Sequence, residues 1–197
     1  MSIGCSCLAL AALLMLIGAD APASQPVNLA ANGDFEENTD HWTGSALNRN
    51  GESEREQRPD FVQHETEDTA DDSDGALHIV LDDLDSGTYL AHQTGVACKL
   101  TEEVPKDRSL RVRFDAKLLK GPPYLNITRS NGGGSLREVA ELSEKWTTHE
   151  VIVDLTHGTQ YLIWNLVEGT RGAAARRVSI GSVLIDNVRV SVLADDQ

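Results

Sequence analysis

Short segments in which apolar and polar residues alternate run along most of this chain. In Ser109–Leu119 every second residue is apolar, and charged or polar residues lie between them. A period of two predicts a β-strand with one buried and one solvated face. Beyond the first 23 residues, no segment sustains the period of an amphipathic helix. The other strongly predicted strands are Gly75–Leu81, Tyr124–Arg129, His149–Leu155, Tyr161–Val167 and Ser182–Val192.

Turn-forming residues separate these segments and predict short connections. Gly121–Pro123 and Asn131–Ser135 are two such loops. Residues 48–74 are polar and predict an extended loop, with Arg58–His64 as its one candidate short strand. Several short strands without crossover helices favour an all-β fold, an antiparallel β-sandwich around one core.

The N-terminal segment has the features of an export signal. Cys7–Gly18 is an apolar run of twelve residues, too short to span a bilayer, and small residues follow it. We expect a signal peptide over residues 1–23, cleaved after Ala23, and a single domain over residues 24–197. The segment before the run has no Lys or Arg, so an N-terminal core helix is the alternative. The signal predicts a secreted, periplasmic or cell-surface protein without membrane insertion.

The chain is acidic, with a formal net charge of −14. This charge argues against nucleic acid and anionic membrane surfaces as partners. His64–Asp74 contains six acidic residues and no Lys or Arg. Two interpretations stand for this segment: a solvated loop, or a surface that attracts cations. Its spacing does not fit the calcium loop of an EF-hand.

The usual catalytic signatures are missing from the sequence. It contains neither G-x-S-x-G nor H-E-x-x-H, and no pair of carboxylates stands out as a glycosidase pair. Cleavage of the signal leaves Cys98 as the single cysteine, so no intrachain disulfide is expected. Its apolar neighbours predict a buried structural thiol. We therefore expect a protein that is not an enzyme.

Several elements occur in an order that resembles a known family. "NLAANGDFEENTDHW" begins at Asn28 and "GSVLIDNVRVSV" ends at Val192. Between them lie "DSDGALHIVL", "RSLRVRFDAKL" and "SEKWTTHEVIVDL". This order resembles carbohydrate-binding modules of the family 4/9/22 kind. The resemblance implies a jelly-roll sandwich similar to galactose-binding domains, and a polysaccharide or other glycan as partner.

The same resemblance implies a structural calcium ion where the first and last strands meet. The family's ligands correspond to Glu36 and Asp186, with main-chain oxygens, and with Asp74 as the best third contributor and Asp34 as a weaker one. Calcium prefers such carboxylate and carbonyl oxygens. The alternative is that both acids are solvated or bonded to the backbone. Phe35, between two acidic residues, is expected in the core.

A sugar site needs an aromatic platform and polar side chains that bind hydroxyl groups. Trp42 and Trp146 lie at positions that are structural in the family, and the leucines around Trp164 favour core packing for it too. The candidate ligand-binding residues are Tyr124, Asn126, Arg113, Tyr161 and Trp164. The main alternative function is a structural or adhesive cell-surface sandwich with a protein partner, and a small hydrolase is the third.

Overall fold

The computed structural model describes residues 27–47, 55–71, 73–82, 84, 94–129, 139–174 and 177–193. The predicted signal peptide, its cleavage site and the loop Asn131–Ser135 lie outside the described residues. Within those ranges, the chain has no helix of the length and apolar character needed to cross a membrane.

The described residues form eleven β-strands and one turn of 3-10 helix, Pro59–Phe61. The strands are β1 (Trp42–Leu47), β2 (Arg55–Gln57), β3 (Val62–Glu65), β4 (Ala76–Leu81), β5 (Gly95–Val104), β6 (Arg108–Lys120), β7 (Tyr124–Arg129), β8 (Val139–Glu141), β9 (Thr147–Leu155), β10 (Thr159–Leu166) and β11 (Gly181–Val192).

The strands form two antiparallel sheets packed face to face. One has six strands in the order β2-β1-β5-β10-β7-β8, and the other has five in the order β3-β4-β11-β6-β9. Strands that follow one another along the chain often lie in different sheets. This antiparallel jelly-roll sandwich confirms the predicted fold class.

The alternating pattern of β6 predicts its burial correctly. Leu110, Val112, Phe114 and Ala116 are fully buried between the sheets. Arg111 and the other polar residues of the strand face away from the core, on the outer face of the five-stranded sheet. All six strongly predicted strands are present, with ends shifted by at most a few residues.

Four strands of the six-stranded sheet escaped prediction: the three-residue strands β2 and β8, and the longer strands β1 and β5. In β1 the small residues Gly44 and Ser45 weaken the strand signal. Gly44 is required there, because a Cβ atom would lie 1.8 Å from the carbonyl oxygen of Arg58. In β5 the consecutive residues Val96, Ala97 and Cys98 are all buried, so alternation is lost.

The two ends of the domain meet along β11. The amide of Leu29 donates to the carbonyl of Val190 at 2.7 Å, and the amide of Val188 donates to the carbonyl of Gly33 at 2.6 Å. The side chain of Asn28 fixes the same junction, since it donates to the carbonyl of Val188 and accepts from the amide of Val190. The predicted meeting of the chain ends is therefore confirmed.

Candidate functional site

Glu36 and Asp186 bind the same loop, residues 70–75, from opposite ends of the chain. One oxygen of Glu36 accepts the amide of Asp74 at 3.0 Å, and the other accepts the hydroxyl of Ser73 at 3.3 Å. Asp186 accepts the amide of Ala70 at 3.3 Å through Oδ2. The loop thus brings the two carboxylates together.

Asp186 is fully buried, and its Oδ1 accepts the amide of Asn187 at 2.6 Å. Burial is the main cause that raises the pKa of Asp186, and the charge of Glu36 raises it further. Hydrogen bonds from Ser73 and from the amides of Asn187 and Ala70 act in the opposite direction. Within the described part of the chain, neither acid forms an ion pair with Lys, Arg or His.

The third residue of the predicted metal set takes part through its backbone. The backbone amide of Asp74 donates a hydrogen bond to Glu36, and Asp74 is an exposed residue. No group of three or more His, Cys, Asp or Glu side chains placed to hold a metal occurs among the described residues.

Phe35, which precedes Glu36, is fully buried and packs edge-on against Trp42, with 5.1 Å between the ring centroids. Its φ of 53° turns the chain so that Phe35 enters the core and Glu36 stays outside.

The acidic segment packs against the five-stranded sheet through Asp68. The ammonium of Lys117 and the indole of Trp146 both donate to this carboxylate. These two donors hold the pKa of Asp68 below its usual range, with Lys117 as the larger cause. Trp146 therefore has a structural contact, as expected from the sequence.

The five candidate sugar-binding residues do not form one site. Tyr161 and Asn126 belong to the outer face of the six-stranded sheet, and Tyr124 lies half-buried at the start of β7, packed against the core. Arg113 lies on the outer face of the other sheet. Trp164 lies between the sheets. Residues from different faces of a sandwich cannot contact the same sugar unit.

Trp164 is a core residue, which removes it from the candidate ligand set. It is fully buried, and its ring centroid lies 5.0 Å from that of Phe114 and 5.5 Å from that of Trp42. The preference for core packing given by Leu162 and Leu166 is thus correct. Trp42 is also buried, and its indole donates to the carbonyls of Ala31 and Asn32.

Asn126 lies on the outer face of the six-stranded sheet, away from the core between the sheets, and is nevertheless fully buried. Its amide nitrogen donates to Oδ1 of Asn165 on the neighbouring strand β10, and Asn165 donates in turn to the carbonyl of Thr94 at 2.8 Å. The side-chain oxygens of Asn126 and Ser45 have no hydrogen-bond partner in the described structure. An unpaired polar atom away from water is costly, and such atoms call for a specific explanation.

The accessible end of the same outer face carries Tyr161. This half-buried residue is the cross-strand partner of the exposed Lys99 on β5. The amide of Lys99 donates to the carbonyl of His41, which leads into β1. An open groove of about 430 Å³ runs beside β1, lined by His41, Thr43, Gln57 and neighbouring residues. Tyr161 thus lies about 10 Å, or two strand spacings, from the strand that borders the groove.

The sequence alone did not indicate Lys99 or Thr43 as site residues. Both lie on the two strands for which the alternating pattern is weak, so their faces could not be assigned. The only sequence feature that could have indicated Thr43 and Lys99 is that each is a polar residue next to an apolar residue of the core. Cys98, next to Lys99, is fully buried, and burial raises the pKa of its thiol. It is the structural thiol that the sequence predicts.

Comparison with known proteins finds similar solved structures, but no matching family model and no matching curated sequence. Among solved structures, the chain is similar to the CBM22-1 xylan-binding domain from Paenibacillus barcinonensis Xyn10C. The identity is 16%, the TM-score is 0.46, and the match covers 84% of this chain and 92% of that one.

Two further solved structures illustrate the same range of similarity. A mutant of the family 29 carbohydrate-binding module CBM29-2 is 15% identical, with a TM-score of 0.39 and coverage of 77% of this chain and 91% of that chain. The enzymatically active domain of bacteriophage CBA120 tailspike protein 4 is 13% identical, with a TM-score of 0.29. That match covers 84% of this chain and 21% of the tailspike chain.

Proposed function

We propose that this chain is a non-catalytic carbohydrate-binding module that recognises a polysaccharide at the outer face of the six-stranded sheet. The observation that carries the proposal is the accessible end of that face, where Tyr161 lies beside Lys99 and near the groove along β1. The ordered sequence motifs and the jelly-roll architecture support the same class of protein.

The chemistry of this surface suits a sugar. A tyrosine ring offers an apolar surface to the C–H groups of a pyranose, and its hydroxyl can bond to the ligand. Lys99, Thr43 and His41 supply charged and polar groups for sugar hydroxyls.

The test is calorimetric titration of the full chain with a panel of soluble neutral polysaccharides. Tyr161→Ala should weaken binding by about tenfold, which corresponds to about 1.4 kcal/mol. Tyr161→Phe keeps the ring and should retain most of the affinity. If no glycan binds, or if Tyr161→Ala binds as well as the natural protein, the proposal is wrong. Binding to a protein partner without any glycan would favour the adhesive alternative.

We further propose that calcium binds at Glu36 and Asp186. Two carboxylates near one another, one of them buried, favour a cation that offsets their repulsion. The surrounding oxygens are also hard: the hydroxyl of Ser73 and the main-chain carbonyls of Ser73 and Gly75. This donor set fits calcium, whose ligands are carboxylate, carbonyl and hydroxyl oxygens. Its role would be structural, since it would join the segment before β1 to the last strand, β11.

Export also stands as a proposal. The apolar run Cys7–Gly18 and the small residues after it support a signal peptide cleaved after Ala23. Sequencing the N-terminus of protein recovered from outside the producing cells tests this. Recovery of chains that still begin at Met1 would contradict it.

A further inference from the structure

An arginine-lined groove lies on the outer face of the five-stranded sheet, opposite to the surface around Tyr161. Arg113 on β6 and Arg189 on β11 are direct cross-strand partners, and both are exposed. Arg111, two residues before Arg113, belongs to the same face. Like charges directly opposite one another destabilise a sheet, so this pair needs a reason.

The nearest carboxylates do not neutralise the two facing arginines. Glu150 is the cross-strand partner of Arg113 on β9, but its carboxylate pairs with Arg111 at 3.4 Å. Asp115 accepts hydrogen bonds from the neutral side chains of Thr148 and Asn187. Among the described residues, Arg113 and Arg189 therefore have no ion pair, and the groove has an excess of positive charge.

The groove has a defined shape and one fixed wall. It has a volume of about 340 Å³, and it is lined by the three arginines together with Val27, Asn28, Glu150, Val190 and Ser191. The hydrogen bonds of Asn28 to both Val188 and Val190 hold that wall against β11. This volume is within the range of small-ligand sites and is large enough for one sugar unit.

We propose that this groove is a second binding site, and that it takes the oxyanion of an acidic saccharide, a carboxylate or a sulfate ester. Guanidinium groups present paired N–H donors that match the two oxygens of such groups. An anion between Arg113 and Arg189 removes their mutual repulsion. The net charge of −14 repels anions at long range, but ions of physiological salt screen it beyond about 8 Å. The saccharide part of the ligand rests on the proposed function, whereas the oxyanion site does not.

The experiment titrates the full chain with four probes: inorganic sulfate, an oligogalacturonate, a sulfated oligosaccharide and a neutral oligosaccharide of the same length. We expect one or both acidic oligosaccharides to bind, with affinity that falls as salt is raised. Arg113→Ala and Arg189→Ala should each weaken this binding about tenfold or more. Which acidic oligosaccharide binds better distinguishes carboxylate from sulfate ester.

Two control variants separate this site from the rest of the molecule. Arg177→Ala removes an arginine that pairs with Glu168 elsewhere, and it should leave acidic binding unchanged. Tyr161→Ala should also leave it unchanged, because Tyr161 lies on the other sheet. If Tyr161→Ala abolishes acidic binding and Arg113→Ala does not, the ligand belongs to the other face and the proposal is wrong.

The outcomes also distinguish this proposal from the proposed function. Binding of inorganic sulfate through Arg113 and Arg189 without any saccharide would support the oxyanion site and overturn its saccharide ligand. Binding of acidic oligosaccharides with no response to neutral polysaccharides would support the groove while the proposed function at Tyr161 fails. If none of the anionic probes binds, or if both arginine variants bind like the natural protein, the groove is not a binding site.

Discussion

Glu36 and Asp186 come from opposite ends of the chain and accept hydrogen bonds from amides of one loop, those of Asp74 and Ala70. The loop therefore holds two carboxylates together. Burial is the main cause that raises the pKa of Asp186, and the charge of Glu36 adds to it. A cation at this junction would act on the segment before β1, on the last strand and on the acidic loop at once.

We expect calcium to stabilise the domain through this junction. A ligand that binds only the folded state adds about 2.7 kcal/mol at a hundredfold excess over its dissociation constant. For a domain of this size, each kcal/mol changes Tm by roughly 2–4 °C. EDTA should thus lower Tm by several degrees, and calcium should restore it where sodium does not.

Variants of the two carboxylates make this test specific. Glu36→Gln and Asp186→Asn should abolish the response to calcium, whereas the exposed Glu141 on β8 offers a control, and Glu141→Gln should keep the response. A melting curve that EDTA leaves unchanged in the natural protein would rule out the calcium site.

The raised pKa of Asp186 predicts a pH effect of definite sign in the absence of calcium. An unfolded Asp has a pKa of about 3.9. Between that value and the raised pKa, the folded state holds a proton that the unfolded state has lost, so the free energy of unfolding falls as pH rises. Calcium favours the charged carboxylate and should weaken this fall.

The contribution of Asp186 is measured as a difference, because other acids act in the opposite direction. Hydrogen bonds and nearby charges lower the pKa values of Asp60, Glu65 and Asp68, and their stabilisation is lost as pH falls. Urea unfolding of the natural protein and of Asp186→Asn across acidic pH in EDTA gives the difference. A difference that increases with pH, in favour of the natural protein, would contradict the prediction.

Trp164 should matter for stability far more than for binding. Replacing a large buried aromatic residue by Ala typically costs 3–5 kcal/mol, so Trp164→Ala should lower Tm by roughly 10 °C or more. Denaturant unfolding measures the loss, and Tyr161→Phe on the outer face is the control with little expected change. A Trp164→Ala protein as stable as the natural one would mean that the core is not arranged around this ring.

Arg189→Ala should not destabilise the domain. The side chain is exposed, faces Arg113, and has no ion pair among the described residues, so its removal relieves repulsion. We expect a change of no more than about 0.5 kcal/mol, in the stabilising direction, at low salt. Arg111→Ala removes the pair with Glu150 and is the comparison. A clear loss of stability in Arg189→Ala would show that this arginine has a structural role.

The sequence predicts the part of the fold that depends on local alternation. β6 and β9 have apolar residues at every second position along most of their length, so both their presence and their buried faces could be read directly. The strand β1 has small residues, and β5 has three consecutive buried residues, so both were missed. In these strands, burial comes from neighbours in the tertiary structure and not from their own pattern.

By itself, the sequence determined the all-β class and the inward face of each regular strand, and the family resemblance of its ordered motifs implied that Glu36 lies close to Asp186. Only the tertiary structure decided which outward-facing residues share a surface. Arg113 and Tyr161 are both outward-facing, yet they belong to different sheets, while Arg113 and Arg189 become neighbours. The physical reason is that alternation fixes only whether a side chain points towards the core. Its neighbours across the sheet depend on strand order and register, which arise from contacts between residues far apart in the chain.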